Sequence, residues 1–298
     1  MKRTLILLLQ AAAVLLLTAA CQADLLTEQD ETLIPDPSAP IELSGSAPIE
    51  TEASGVVTRA DGDQLPFTLY AVPSSSSSWP AAPYINKVDA TLASGSGTAR
   101  AISFSPAAYW PVGGQSLKFI GVMKANGATT LSSGSVSLTA GKGEDKDVLL
   151  SNNFTGNKSN HSGSMTFNRL MARLIVKPGA DNKQVVTCNI NGGSSSATYN
   201  VLTEATSNQS GTYTINYSTN SNSQTYYLIP GTTISELTNV VAGGTSKGTI
   251  QLTNSSGSNT SFKTTAGHSY TIEVTAKGAT LVTSGLSIDN SWGNGGNL

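Results

Sequence analysis

The sequence predicts an exported, all-β protein, and three observations carry that prediction. Short runs of Thr, Val, Ile, Tyr and Phe recur along the chain, separated by turns rich in Ser, Asn and the chain's 29 Gly. No amphipathic stretch of more than a few helical turns follows residue 21. Met1 to Cys21 follows the basic, apolar, small-residue plan of a secretory signal. The roughly 275 residues left after processing suffice for two domains of ordinary size. The expected organisation is a signal over 1–20, a tether over 21–40, an N-terminal β-sandwich over 41–160 and a C-terminal β-sandwich over 161–298.

The signal begins with Lys2 and Arg3, and Leu5 to Leu17 is apolar except for Gln10. That run is shorter than the roughly 18 residues of a membrane span. Thr18, Ala19 and Ala20 lead into Cys21. The ending resembles a bacterial lipobox, whose cysteine thiol receives a diacylglycerol and whose cysteine becomes the new N-terminus. Leu is preferred three places before that cysteine; here the place holds Thr18, with Leu17 one earlier. The plainer reading is an ordinary cleaved signal, and either one exports the chain. With Cys21 lipidated, Cys188 is left alone and no intramolecular disulfide forms.

Net charge is −2 and only 12% of residues are charged, so nothing points to nucleic acid or an anionic surface as partner. Gln22 to Pro40 carries Asp24, Glu28, Asp30, Glu31 and Asp36 with three prolines, which reads as an extended tether. Ile41, Leu43, Ile49, Val56 and Val57 are spaced as one or two short strands before the polar turn Thr58 to Asp63. Phe67, Leu69 and Ala71 then alternate with Thr68 and Tyr70 as a half-buried strand. Ser74 to Ser78 is a loop tip.

Further strands are expected at Thr98 to Phe104, Leu117 to Val122, Val136 to Leu138 and Val148 to Leu150. Ser151 to Gly163 is polar with only Phe154 to bury, and marks the expected domain boundary. In the second half Arg173 and Lys177 alternate with Leu174 and Val176, as in a strand with one wet face, and Asn168 to Ala172 reads as helical or bulged. Strands follow near 185–190, 212–217, 224–229, 248–252, 270–276 and 286–292. Turn signals every 10 to 20 residues or so fit sandwiches rather than βαβ units.

Several weak motifs, taken in order, resemble the fimbrillin family of two-domain type V pilins. They are the lipobox, Thr58-Arg59-Ala60 before Phe67 to Ala71, Tyr109-Trp110-Pro111 followed by Leu117-Lys118-Phe119, and Asp147 to Leu150. Phe167 to Leu174, Tyr226 to Pro230, Gly267 to Ile272 and the closing Ile288 and Trp292 continue the series. Family members often carry His where this chain has Asn168 or Arg169, and a polar residue where Gly231 follows Pro230.

The resemblance implies two transthyretin-like sandwiches, export as an outer membrane lipoprotein, and proteolysis after an arginine. Removal of the first strand then opens a groove, an unpaired sheet edge that templates a strand from another subunit. The contact is head-to-tail and does not close, so it builds a filament. Mapped here, the removable strand lies within Ile41 to Thr58 and the cut falls between Arg59 and Ala60. The plainer reading of Arg59 is a solvated turn residue. Arg100 is the other arginine in an expected loop. The donor strand maps to Leu281 to Ile288, with Leu281, Val282, Leu286 and Ile288 as its apolar side chains; alternatively this is the last strand of its own domain. Implied partners are other pilin subunits, the outer membrane through the lipid before processing, and ligands on host or bacterial surfaces.

Catalytic chemistry has little to stand on. His161 and His268 sit beside Gly or Ser in apparent turns. Gly244 to Gly248 matches Gly-x-Ser-x-Gly, but a strand follows it where a nucleophile elbow needs a helix. No metal-ligand or phosphate-loop spacing occurs, Glu144 to Asp147 offers at most a weak calcium site, and Cys188 reads as a small buried residue. No enzyme activity, cofactor or metal is expected. A rival reading is a monomeric glycan-binding lipoprotein using Trp79, Tyr84, Tyr109 and Trp110 as an aromatic platform.

Overall fold

A computed structural model of the chain describes residues 33–47, 50–51, 57–59, 64–94, 99–124, 127–161, 163–179, 184–254, 256–277, 280–283 and 287–289. Cys21, Ala60 and Leu286 lie outside them. The described residues form strands and turns, with 3-10 structure at Leu33 and at Glu144–Lys146 and no α-helix, so the expected all-β class holds.

The first half opens with β1 (Pro35–Pro40), β2 (Leu43–Ser46), β3 (Glu50–Thr51) and β4 (Val57–Arg59). Then come β5 (Leu65–Pro73), β6 (Ile85–Leu92), β7 (Arg100–Ser105), β8 (Tyr109–Pro111) and β9 (Leu117–Lys124). They are followed by β10 (Gly127–Ala128), β11 (Ser135–Thr139), β12 (Gly141–Lys142) and β13 (Val148–Gly156). Two short pieces, β14 (Ser164–Thr166) and β15 (Asn168–Arg169), flank Phe167.

The main sheet runs β2, β7, β6, β5, β9, β13 with antiparallel neighbours. Its two ends meet in one run of chain. β14 lies parallel to β2, and β15, separated from it only by Phe167, lies antiparallel to β13. Phe167 N–H donates to the Ser46 carbonyl at 2.9 Å, continuing the ladder across the seam. That one run of chain therefore joins the two ends of the sheet into a ring whose seam lies at Phe167. Inside sit Ile41, Leu43, Phe67, Leu69, Leu92, Trp110, Phe119, Met165 and Phe167. Residues 151–156, expected to be linker, belong to β13, and β14 and β15 extend the ring past residue 160.

The second half supplies β16 (Ala172–Pro178), β17 (Val186–Asn191), β18 (Ser196–Asn200), β19 (Ala205–Ser210) and β20 (Thr214–Ser218). Next are β21 (Gln224–Leu228), β22 (Thr233–Ile234), β23 (Glu236–Ala242), β24 (Thr245–Gln251) and β25 (Phe262–Lys263). The last are β26 (Ser269–Lys277), β27 (Thr280–Thr283) and β28 (Ser287–Asp289). One sheet runs β12, β21, β16, β26, β27, with β28 also on β26; the other runs β20, β17, β23, β24. They enclose a second core that includes Leu174, Val176, Cys188, Ile190, Leu228, Leu237, Val240, Ile272 and Val274. This half is a sandwich.

A third core joins the halves. The small sheet β11, β18, β19 pairs a first-half strand with two second-half strands. Tyr70 and Val72 from β5, Ile120 and Val122 from β9, and Leu150 from β13 meet Val136, Leu138, Ala197, Val201 and Tyr227 there. β5 is therefore buried on both faces, Thr68 and Tyr70 included, and is not the half-wet strand its alternation suggests. Arg173 is likewise buried, its Nε donating to Ser269 Oγ at 2.8 Å, whereas Lys177 reaches solvent and pairs with Glu273 at 2.8 Å. Asn168 to Ala172 is an interrupted strand, not a helix.

Candidate functional site

The candidate site is the place of β2 in the ring. Ile41 and Leu43 are aliphatic at alternate positions, so a strand there buries both on one side. Both enter the first core and are 5% and 6% exposed. Burial of two such side chains stabilises the seated strand by roughly 3–6 kcal/mol in all. On one side Leu43, Ser44 and Gly45 pair with Ile102, Ala101 and Arg100 of β7. On the other, Ser44, Gly45 and Ser46 pair with Ser164, Met165 and Thr166. β2 is thus a four-residue strand with strand partners on both sides.

The chain before it is seated too. Residues 35–40, expected in the tether, form β1 against β8. Val112 N–H donates to the Ile34 carbonyl at 2.7 Å, and Ile41 N–H to that of Ala108 at 2.9 Å. Asp36 pairs with Lys158, and its Oδ1 accepts from Ser38 N–H and Oγ at 3.0 and 2.7 Å. The Lys158 hydrogen bond, then those from Ser38, hold the Asp36 carboxyl down at about 2.

Asn153 stands at the β13 bulge beside the seam. Its Nδ2 donates to the Ser164 carbonyl at 3.4 Å and its Oδ1 accepts from Thr166 N–H at 3.0 Å. One side-chain amide thus takes the place of a strand's backbone along β14, a role no sequence pattern announces.

After β2 the backbone forms the ladder of β3 and β4, with Glu50 opposite Arg59. The expected cut therefore follows the last residue of β4. Arg100, expected in a loop, is instead a buried β7 residue whose Nε donates to the Ala93 carbonyl at 2.7 Å. Of the candidate donor residues, Leu281 and Val282 lie in β27 and Ile288 in β28. Both strands pair antiparallel to β26, with a one-residue change of register between them. In this state they form the edge of their own sheet.

The aromatic platform does not assemble. Trp110 is 2% exposed, its ring packed into the first core edge-on to Phe119 at 5.6 Å. Tyr84 donates its hydroxyl to the Tyr109 carbonyl at 2.5 Å beside the same core. Trp79 packs on the third core instead, edge-on to Tyr70 at 5.6 Å.

The other chemical candidates are dispersed. His161 is exposed, and His268 faces Tyr270. Ser246 is exposed within β24. Asp147 is engaged with Arg169, and Cys188 is buried, which pushes its thiol up to about 12. Among the described residues no three His, Cys, Asp or Glu come together as a metal site.

The fold defines an all-β protein of two linked bodies, the first of which holds its own N-terminal strand as a wall member. The chain belongs to the fimbrillin-like family, whose model matches residues 57–292. No curated protein matches it. Among solved structures it is similar to a candidate cell adhesion protein from Bacteroides uniformis, with 16% identity and a TM-score of 0.55 over 86% of this chain and 99% of that one. It is also similar to the tip fimbrial protein Mfa3 from Porphyromonas gingivalis with C-terminal truncation, at 11% identity and a TM-score of 0.43 over 84% and 98%.

Proposed function

We propose that the protein is a non-enzymatic pilus subunit of the cell surface, exported as an outer membrane lipoprotein through Cys21 and assembled by strand exchange. Its two domains are a ring and a sandwich, divided after Arg169. Cleavage between Arg59 and Ala60 removes β1 to β4 together with the lipid. The ring then has an open slot between β7 and β14, and Ile41 and Leu43 leave two pockets in its core. A strand from the C-terminal region of another subunit fills that slot, and repetition head-to-tail builds a fimbrium.

The observation that carries this reading is the seat of β2, hydrogen-bonded on both sides and apolar beneath. Its loss exposes two strand edges and a core at once, a state that favours capture of a replacement strand. The aromatic side chains give no matching support to a glycan platform, since Trp110 is core.

The experiment is intact mass and N-terminal sequencing of the protein recovered from the cell surface. A species beginning at Ala60, without lipid and running as an oligomer ladder, is expected. A strictly monomeric species beginning at lipidated Cys21 rejects assembly by this route.

A further inference from the structure

The slot has a shape that restricts what enters it. Inward point Ile41, two residues before β2, then Leu43, and then the place where Gly45 has no side chain. A Cβ there would stand 2.7 Å from the Met165 carbonyl oxygen, 3.1 Å from Ile102 Cδ1 and 3.4 Å from Leu92 Cδ1. The carbonyl is backbone of the adjoining β14 and cannot swing aside, so this seat takes glycine. Ala39 and Ala47, two places beyond either end, pack half-buried against the same core. From Ala39 at the end of β1 to Ala47 past β2, the segment that maturation would remove therefore reads small, large, large, glycine, small. On the opposite face Ser44 Oγ donates to the Gly163 carbonyl at 3.2 Å.

Thr280 to Asp289 contains one glycine, Gly285. With Gly285 on the seat and the segment running in the direction of β2, Ala279, Leu281, Thr283 and Ser287 take the places of Ala39, Ile41, Leu43 and Ala47. Ser284 takes the place of Ser44. The match is one shift of 240 positions throughout. Run the other way, the segment puts Ser287 and Asp289 into the two apolar pockets, which buries a carboxylate among hydrocarbon.

We infer that Ala279 to Ser287 of a second copy of this chain enters the slot in the direction of β2, with Gly285 on the seat of Gly45 as the residue that sets register. The inference rests on the strand exchange proposed above. Ser284 repeats the hydrogen bond to the Gly163 carbonyl. Thr283 underfills the pocket of Leu43, so a larger aliphatic residue there strengthens the contact.

The test uses synthetic peptides of residues 279–289 added to the full chain processed to begin at Ala60, at concentrations where it is monomeric. Binding is read by fluorescence anisotropy for the native peptide, for Gly285→Val and for Thr283→Leu. The native peptide is expected to bind, Gly285→Val at least tenfold more weakly, and Thr283→Leu at least as tightly. Equal binding by the native and Gly285→Val peptides, or binding by neither, overturns the register. The oligomer ladder of the processed chain is read separately. A ladder with no peptide preference removes this inference and leaves strand exchange standing. Peptide preference without a ladder keeps the seat and rejects assembly.

Discussion

Arg169 Nε lies 3.0 Å from Asp147 Oδ2, and neither side chain has exposed surface. Asp147 directly precedes β13, and Arg169 ends the run of chain that closes the ring, so the pair pins the seam from beneath. Removing one member leaves a buried charge without its partner, which costs about 3–5 kcal/mol. Arg169→Met is expected to lose about that much in urea unfolding. The double change Arg169→Met with Asp147→Leu is expected to regain most of it, because two apolar side chains carry no desolvation penalty. A loss of less than about 1 kcal/mol in the single variant contradicts this account.

Asn153 holds the other side of the seam with an exposed amide, so its contribution is smaller. Asn153→Ala is expected to cost about 1 kcal/mol globally. Its clearer signature is local: the Thr166 amide proton, now facing water, exchanges faster while amides of β5 and β9 keep their protection. In a chain lacking residues 1–59 the same substitution is expected to act more strongly, since β14 has then lost β2 as well. Hydrogen exchange in both backgrounds reads the difference, and equal effects in the two would mean that Asn153 does not hold the seam.

Much of the fold was legible because Val, Ile, Leu and Tyr alternate where one face is wet, as in β17 and β20. β6 and β23 were missed for one shared reason. Each carries a non-glycine residue in left-handed backbone, Lys87 at φ 55° and Asn239 at φ 50°, beside a register shift. A bulge inserts one residue and breaks the period of two. β19 was missed because all six of its residues are exposed and no apolar period exists. The wet face assigned to β5 was an error of another kind. Tyr70 is amphipathic, and its hydroxyl accepts from Leu131 N–H at 3.0 Å from within the third core. The segment Ile41 to Thr58 was recognisable as strand, but its neighbours were not, since β14 reaches it from 120 residues on.

Trp110 separates a structural from a binding role. Buried in the first core with its ring edge-on to Phe119, it is expected to cost about 3–5 kcal/mol when changed to Ala. Trp79, half-buried at the edge of the third core, is expected to cost about 1–2 kcal/mol for the same change. Thermal unfolding of the two variants checks the order. If Trp79→Ala proved the more damaging, the division of the aromatic residues between the two cores would be wrong.

Asp36 makes the docking of the N-terminal segment sensitive to acid. Its carboxyl sits at about 2 in the folded chain against an ordinary 3.8, chiefly through the Lys158 hydrogen bond and then those from Ser38. The folded value is the lower one, so this contribution to docking is fully present above pH 3.8 and is lost as pH falls through about 2. Lys158→Ala removes the largest cause, and the Asp36 carboxyl is expected to titrate closer to 3.8 in that variant. NMR titration of the carboxyl carbon measures this directly. The same variant at neutral pH is expected to show faster proteolysis within residues 33–40, because β1 is then held by its backbone pairing with β8 alone, the Ser38 bonds tying Asp36 only to its own strand. An Asp36 titration unchanged by Lys158→Ala would assign the depression to Ser38, and β1 docking would then be independent of Lys158.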